Sequence, residues 1–173
     1  YLIGLASRDS LILEFSPTMI SLILAGKVGS SIASEIGSMR VSEQIDALEI
    51  MGVNSASFLI LPKIIASMFF FPCLVILSMA IGMIGAWIGG LSVNVTTTDF
   101  LYGLQYEFVP FYVTYAIIKT LFFAFLVSSI SSYFGYHSKG GAISVGKSST
   151  EAVVYSSIFI LVFNFILTKI ILA

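Results

Sequence analysis

No charged residue lies between Lys63 and Asp99, and none lies between Glu151 and Lys169. A helix needs about 20 apolar residues to cross the hydrocarbon core of a bilayer. The first stretch is ample for that and the second is just sufficient. Composition agrees: 58% of the residues are hydrophobic and 10% are charged, whereas a soluble domain carries about a quarter charged residues. The chain is therefore expected to be an all-α polytopic membrane protein. Apolar runs this long and this uniform do not alternate, so they do not read as barrel strands.

Four spans are predicted: residues 15–37, 61–90, 110–136 and 152–172. The linker after the first span carries Arg40, and the linker after the third carries Lys139 and Lys147. The linker 91–109 between them holds Asp99 and Glu107 and no basic residue. The positive-inside rule puts the two basic linkers in the cytoplasm. Residues 1–14 and the C-terminus then face outward. The chain opens on Tyr1 rather than Met, which suggests a fragment of a longer protein.

Small residues recur every four positions in the first span. One row is Ala25, Gly29, Ala33 and Gly37, and beside it runs Gly26, Ser30, Ser34 and Ser38. Gly82, Ala86 and Gly90 repeat the spacing in the second span. Such rows let helix backbones approach closely in lipid. Gly26, Gly29, Ala33 and Gly37 are thus expected at a helix-packing surface or at a dimer axis.

The segment from Val41 to Gly52 has a different character. Val41, Ile45 and Leu48 share one helical stripe, and Glu43, Asp46 and Glu49 fall opposite it. Ser42 is positioned as an N-cap and Gly52 as a stop. A short amphipathic helix thus interrupts a cytoplasmic linker. It either lies on lipid or docks on a protein. Interfacial helices usually carry basic residues on the polar face; this face is acidic and favours a protein partner.

Two charges fall within predicted spans. Glu35 is a candidate functional carboxylate, unless it simply sits at the water interface. Lys119 either pairs with a carboxylate on another helix or extends its ammonium to the membrane surface. The run Gly141-Ala-Ile-Ser-Val-Gly146-Lys147-Ser148 matches the spacing of a phosphate-binding loop. Such a loop follows a buried strand, and here a membrane span precedes it, so the match is read as coincidence. One cysteine, Cys73, and one histidine, His137, provide no metal-ligand cluster. No catalytic constellation is arguable, and the near-neutral charge gives no sign of nucleic-acid binding.

The run from Ala25 to Asn54 resembles the signature of the MlaE-type permease family, which serves the Mla and Mce lipid transport systems. Gly135-Tyr136, Lys139-Gly-Gly141, Val145-Gly146, Thr150 and Val153-Val154 resemble that family's last cytoplasmic loop and final helix. The resemblance implies one permease domain over residues 1–173, with the family's N-terminal interfacial helix and first membrane helix lying before Tyr1. It implies a homodimer in the bacterial inner membrane, two cytoplasmic ATPase subunits that bind the ATP and magnesium, periplasmic MCE-domain proteins and, in some systems, a STAS-domain subunit. The cargo would be phospholipid or a related lipid. The short helix would be the coupling helix, with Glu43, Gln44, Asp46, Ala47 and Glu49 at the ATPase contact, and Glu35 would match the family's acidic position. An ion-driven carrier and a membrane scaffold are the competing readings. The first would need several intramembrane acids, and the second would leave the acidic helix unexplained.

Overall fold

A computed structural model describes residues 1–172. Four helices are long and apolar enough to span a membrane. They are α1 (Leu2–Val41), α3 (Ser55–Ser92), α5 (Phe111–Tyr136) and α6 (Ala142–Leu172). Two short helices join them: α2 (Gln44–Ile50) between α1 and α3, and α4 (Thr97–Gln105) between α3 and α5. Among the described residues there is no strand.

The third span falls where the sequence puts it. The others are longer. The first helix starts at Leu2, so residues 1–14, expected outside the membrane span, form its first turns. The fourth starts at Ala142 and takes in residues expected to be loop. The literal phosphate-loop match therefore lies mostly on the opening turns of α6, and the element before it is the helix α5.

Two stretches of α1 are π-helical, Leu11–Met19 and Ala25–Gly29. Their origin can be read from the small-residue row. In an α-helix a four-residue spacing drifts about 40° around the axis at each step. A row as long as this one would wind off the packed face. A π turn closes on the fifth residue and holds one residue more, which turns the row back. Gly4, Arg8, Ile12 and Ser16, then Ser21, Ala25, Gly29, Ala33 and Gly37, are accordingly all buried. Pro17, which lacks an N–H to close an α turn, lies inside the first π stretch.

Helix α5 is central. It packs on α1, α3 and α6, and its buried residues come in pairs four apart: Tyr115 and Ala116, Lys119 and Thr120, Phe123 and Ala124, Val127 and Ser128. The contact with α1 is tightest where small residues meet. A Cβ on Gly135 would lie 2.7 Å from the Ala33 carbonyl oxygen. One on Gly29 would lie 2.9 Å from Ser131 Oγ, and one on Gly37 would lie 3.1 Å from Ser138 Oγ. Most of the row Ala25, Gly29, Ala33 and Gly37 is thus filled by the chain's own helices. Gly26 is different, since a Cβ there would meet nothing within 4 Å. The apolar core lies mid-bundle, around Ala25, Phe71, Phe123, Ala124, Val127 and Ile160.

One end of the bundle holds α2 with its acids and the basic linker residues Arg40, Lys139 and Lys147, after which we call it the basic end. The opposite end holds α4. Its N-cap Thr96 accepts a bond from the Asp99 amide at 3.2 Å. Helix α4 crosses the first turns of α1 so closely that a Cβ on Gly103 would run into the Tyr1 carbonyl oxygen, and one on Gly4 would lie 2.5 Å from that of Phe100. Arg8 completes this corner. Its NH1 donates to the Leu104 and Tyr106 carbonyls at 2.9 and 2.8 Å, acceptors that the end of α4 leaves without helical partners.

Candidate functional site

The first candidate is α2 and its seat. Ile45 is fully buried and packs with Ile32 and Ile36 of α1, beside Leu59, Ile60 and Tyr136. Of the stripe expected from the sequence, Ile45 alone is fully buried; Leu48 is half-buried, and Val41 belongs to the end of α1. The helix stops at Ile50, and Gly52 turns the chain with φ 79°. Ser42 is not the N-cap. Its hydroxyl donates back to the Ser38 carbonyl at 2.8 Å and ends α1. Glu43 holds the N-cap position with φ 60°, a left-handed conformation rare for a residue with a Cβ. Positive-φ residues therefore bracket α2 on both sides.

The three acids are not equivalent. Asp46 accepts from Arg40 NH1 at 3.0 Å. Glu49 turns inward. Its Oε1 accepts from Ser55 Oγ at 2.9 Å and from Tyr136 Oη at 3.0 Å. The Ser55 bond first, then the Tyr136 bond and the Arg40 charge, hold the Glu49 carboxyl below its ordinary value. Only Glu43 has neither a salt bridge nor a side-chain hydrogen bond. The single acidic face expected from the helical wheel is therefore divided. The wheel assigns Glu49 an angle, but Tyr136 decides where its carboxylate points. Every residue of α2 except Ile45 and Leu48 is exposed, Asp46 and Glu49 included, and Ile50 is 87% exposed.

Glu35 lies near the same end. Lys63 of α3 donates to its Oε2 at 2.5 Å, a partner on another helix. The Glu35 side chain remains 58% exposed.

The second candidate lies inside the bundle. Lys119 is fully buried, so the snorkelling alternative is excluded. Its Nζ donates to Glu14 Oε2 at 3.0 Å and to the Leu13 carbonyl at 3.2 Å. Asn164 Nδ2 donates to Glu14 Oε2 at 3.1 Å, and Thr168 Oγ1 donates to Oε1 at 3.0 Å. Tyr115 Oη lies 3.0 Å from Thr168 Oγ1. This network joins α1, α5 and α6. Glu14 escaped the sequence reading because it falls one residue before the predicted first span. A signal was there: Lys119 is a buried cation in search of a carboxylate, and Glu14 lies at the same end of its helix.

An open apolar groove of about 440 Å³ separates α1 from α3, lined by Ile20, Ile23, Leu24, Leu74, Leu77 and Ile81 among others. Among the described residues no three His, Cys, Asp or Glu side chains converge as a metal site.

Four helices long and apolar enough to span a membrane, with a short helix clasped at one end, define a multi-pass membrane protein. The chain belongs to the permease MlaE family, whose model matches residues 1–170. It is 40% identical to a probable ABC transporter permease protein of Rickettsia bellii, over 92% of this chain and 62% of that protein. It is 37% identical to a probable ABC transporter permease protein of Synechocystis, over 92% of this chain and 61% of that one. It is also 35% identical to the chloroplast protein Trigalactosyldiacylglycerol 1 of Arabidopsis thaliana, over 90% of this chain and 45% of that protein. The chain thus spans less than two thirds of these relatives.

Proposed function

We propose that this chain is the membrane-embedded permease of an ABC transporter that moves phospholipid or a related lipid between the bacterial inner membrane and a periplasmic assembly of MCE-domain proteins. Its basic end faces the cytoplasm. It works beside a second copy of itself and receives energy from a cytoplasmic ATPase that binds ATP and magnesium; a STAS-domain subunit joins in some systems.

The observation that carries this reading is α2. A short helix is seated on the bundle by Ile45 and bonded to α1, α3 and α5, and its far side is exposed. That arrangement suits a surface pushed by a partner. Lipid as cargo is supported by the apolar groove between α1 and α3, whose lining suits acyl chains, and by the glycolipid in the name of the Arabidopsis relative. The contact residues on α2 are Glu43, Gln44 and Ala47, together with Ile50 and Met51; Asp46 and Glu49 serve mainly to fix the helix. The full-length permease, purified with its ATPase in nanodiscs, tests this. ATP hydrolysis should rise when the discs carry bacterial phospholipid, and Ala47→Glu should release the ATPase. Retention of the ATPase by that variant removes α2 from the contact.

A further inference from the structure

We propose that Tyr136 is the positioning residue through which displacement of α2 reaches the central helix α5. The inference rests on α2 being the ATPase contact and goes beyond it, because it names the route inward.

Tyr136 is the last residue of α5, and three neighbours converge on it. Its hydroxyl donates to Glu49 Oε1 of α2 at 3.0 Å. It lies 3.1 Å from Ser55 Oγ, at the start of α3. Ser55 in turn donates to the same Glu49 oxygen at 2.9 Å, which closes a triangle across α2, α3 and α5. On the ring face, the Arg40 guanidinium from the end of α1 sits 5.3 Å from the centroid. Arg40 also binds Asp46 of α2 at 3.0 Å. The ring flanks the pocket that holds Ile45.

These contacts have different reach. Ile45 and Arg40 tie α2 to α1. The Ser55 bond ties it to α3, the helix that directly follows it. Among the described residues, the polar link from α2 to α5 is the Tyr136 hydroxyl. The acceptor is a carboxylate oxygen, which binds a hydroxyl more strongly than a neutral oxygen does. The positive-φ residues Glu43 and Gly52 at the two ends of α2 are the places where the chain absorbs rotation. A helix hinged at both ends reaches α5 directly through that hydroxyl, and indirectly through α1 and α3, which both pack on α5. Helix α5 in turn carries Lys119, and so reaches the buried network with Glu14.

The full-length permease in complex with its ATPase is examined by hydrogen exchange, without nucleotide and after trapping with ATP and vanadate. In the wild type the trapped state should alter exchange in α2, at the start of α3 and over the basic end of α5. Tyr136→Phe keeps the ring over Arg40 and removes the hydroxyl. It should retain the ATPase and the response in α2, and lose the response in α5, with coupled ATP turnover down about fivefold. Glu49→Gln should reproduce this, and the double variant should be no worse than either single one, as expected for residues on one route. Tyr136→Leu, which also loses the ring, should in addition lower the melting temperature. An α5 response of wild-type size in Tyr136→Phe overturns the inference while leaving the α2 contact intact. A wild-type complex with no nucleotide response in α2 overturns the α2 contact itself, and the inference with it.

Discussion

Lys119 Nζ meets Glu14 Oε2 at 3.0 Å, with the lysine side chain inaccessible and the glutamate side chain 40% exposed. The pair is therefore asymmetric. The lysine depends on the glutamate, the Leu13 carbonyl and nearby hydroxyls for its solvation, whereas the glutamate has an open side.

That asymmetry predicts unequal variants. Glu14→Gln leaves a buried ammonium without its counter-charge and should destabilise the protein by about 3 kcal/mol, the low end for breaking a buried pair because the glutamate is partly open. Lys119→Met should cost less, since Asn164 and Thr168 still bind the carboxylate. Combining Lys119→Met with Glu14→Gln should recover part of the loss. Thermal unfolding in detergent of the two single variants and the double variant checks this. Equal losses from both single variants would mean that the pair is symmetric after all.

The glycines of α1 and α5 should separate cleanly. Gly135→Ala places a Cβ 2.7 Å from backbone at Ala33, which cannot yield as a flexible side chain can. It should cost about 1–3 kcal/mol through overpacking. Gly26→Ala meets nothing within 4 Å and should be neutral or stabilising by up to about 1 kcal/mol, because alanine favours the helix. Melting temperatures of the two variants give the answer. A dimer axis at Gly26 would appear instead as loss of the oligomer in native mass spectrometry of Gly26→Ala.

Much of this architecture is legible in the chain. The charge-free run after Lys63 identifies α3, the Pro110–Tyr136 stretch gives α5 almost to the residue, and the stripe of Ile45 gives α2 its seat. Three features escape such a reading, each for a physical reason. The first is the length of α1: Arg8 and Glu14 look like a solvated tail until Leu104 and Tyr106 arrive from distant sequence to bind the first and Lys119 the second. The second is the start of α6, where Gly140, Gly141 and Gly146 imitate a loop, although only Gly140 among these has a positive φ. The third is the division of the acids on α2. Periodicity assigns each residue an angle, but Arg40 and Tyr136 decide which carboxylates are engaged. The helix α4 lies within residues 91–109, which the sequence reading treats only as a linker.

Glu49 should make the α2 seat acid-sensitive. Its carboxyl is held below the ordinary value of 4.5, chiefly by the Ser55 hydroxyl and then by Tyr136. A group depressed on folding contributes stability that is fully present above its unfolded value. The contribution fades as pH falls below that value and through the folded one. Closure of α2 should thus be constant from neutral pH to about pH 5 and weaken below it. Glu49→Gln should remove that acid dependence. Hydrogen exchange over residues 44–50 at pH 7, 5 and 4 follows it directly; an acid transition of unchanged size in the variant would assign the effect to another group.

The outward face of α2 offers two kinds of contact, and they should respond differently to mutation. Glu43 is exposed and makes no salt bridge or side-chain hydrogen bond, so it sits at the rim of any complex. Rim charges chiefly govern the association rate and its salt dependence. Glu43→Lys should therefore slow ATPase binding at low salt and do little at high salt, where screening shortens the range of such charges to a few ångströms. Asp46→Lys should act more strongly, because it also breaks the 3.0 Å contact with Arg40 and loosens α2 from its seat. Ile50 is the contrasting case. A large apolar side chain that is 87% exposed at the end of α2 has the chemistry of an interface anchor if α2 docks as proposed. Ile50→Asp should accelerate ATPase dissociation by an order of magnitude or more at any salt concentration, because a buried interface would have to desolvate the new carboxylate. Surface plasmon resonance of the nanodisc-held permease against its ATPase, at low and at high salt, separates the two patterns. A salt-sensitive loss in Ile50→Asp equal to that in Glu43→Lys would show that charge, and not the apolar tip, holds the partner.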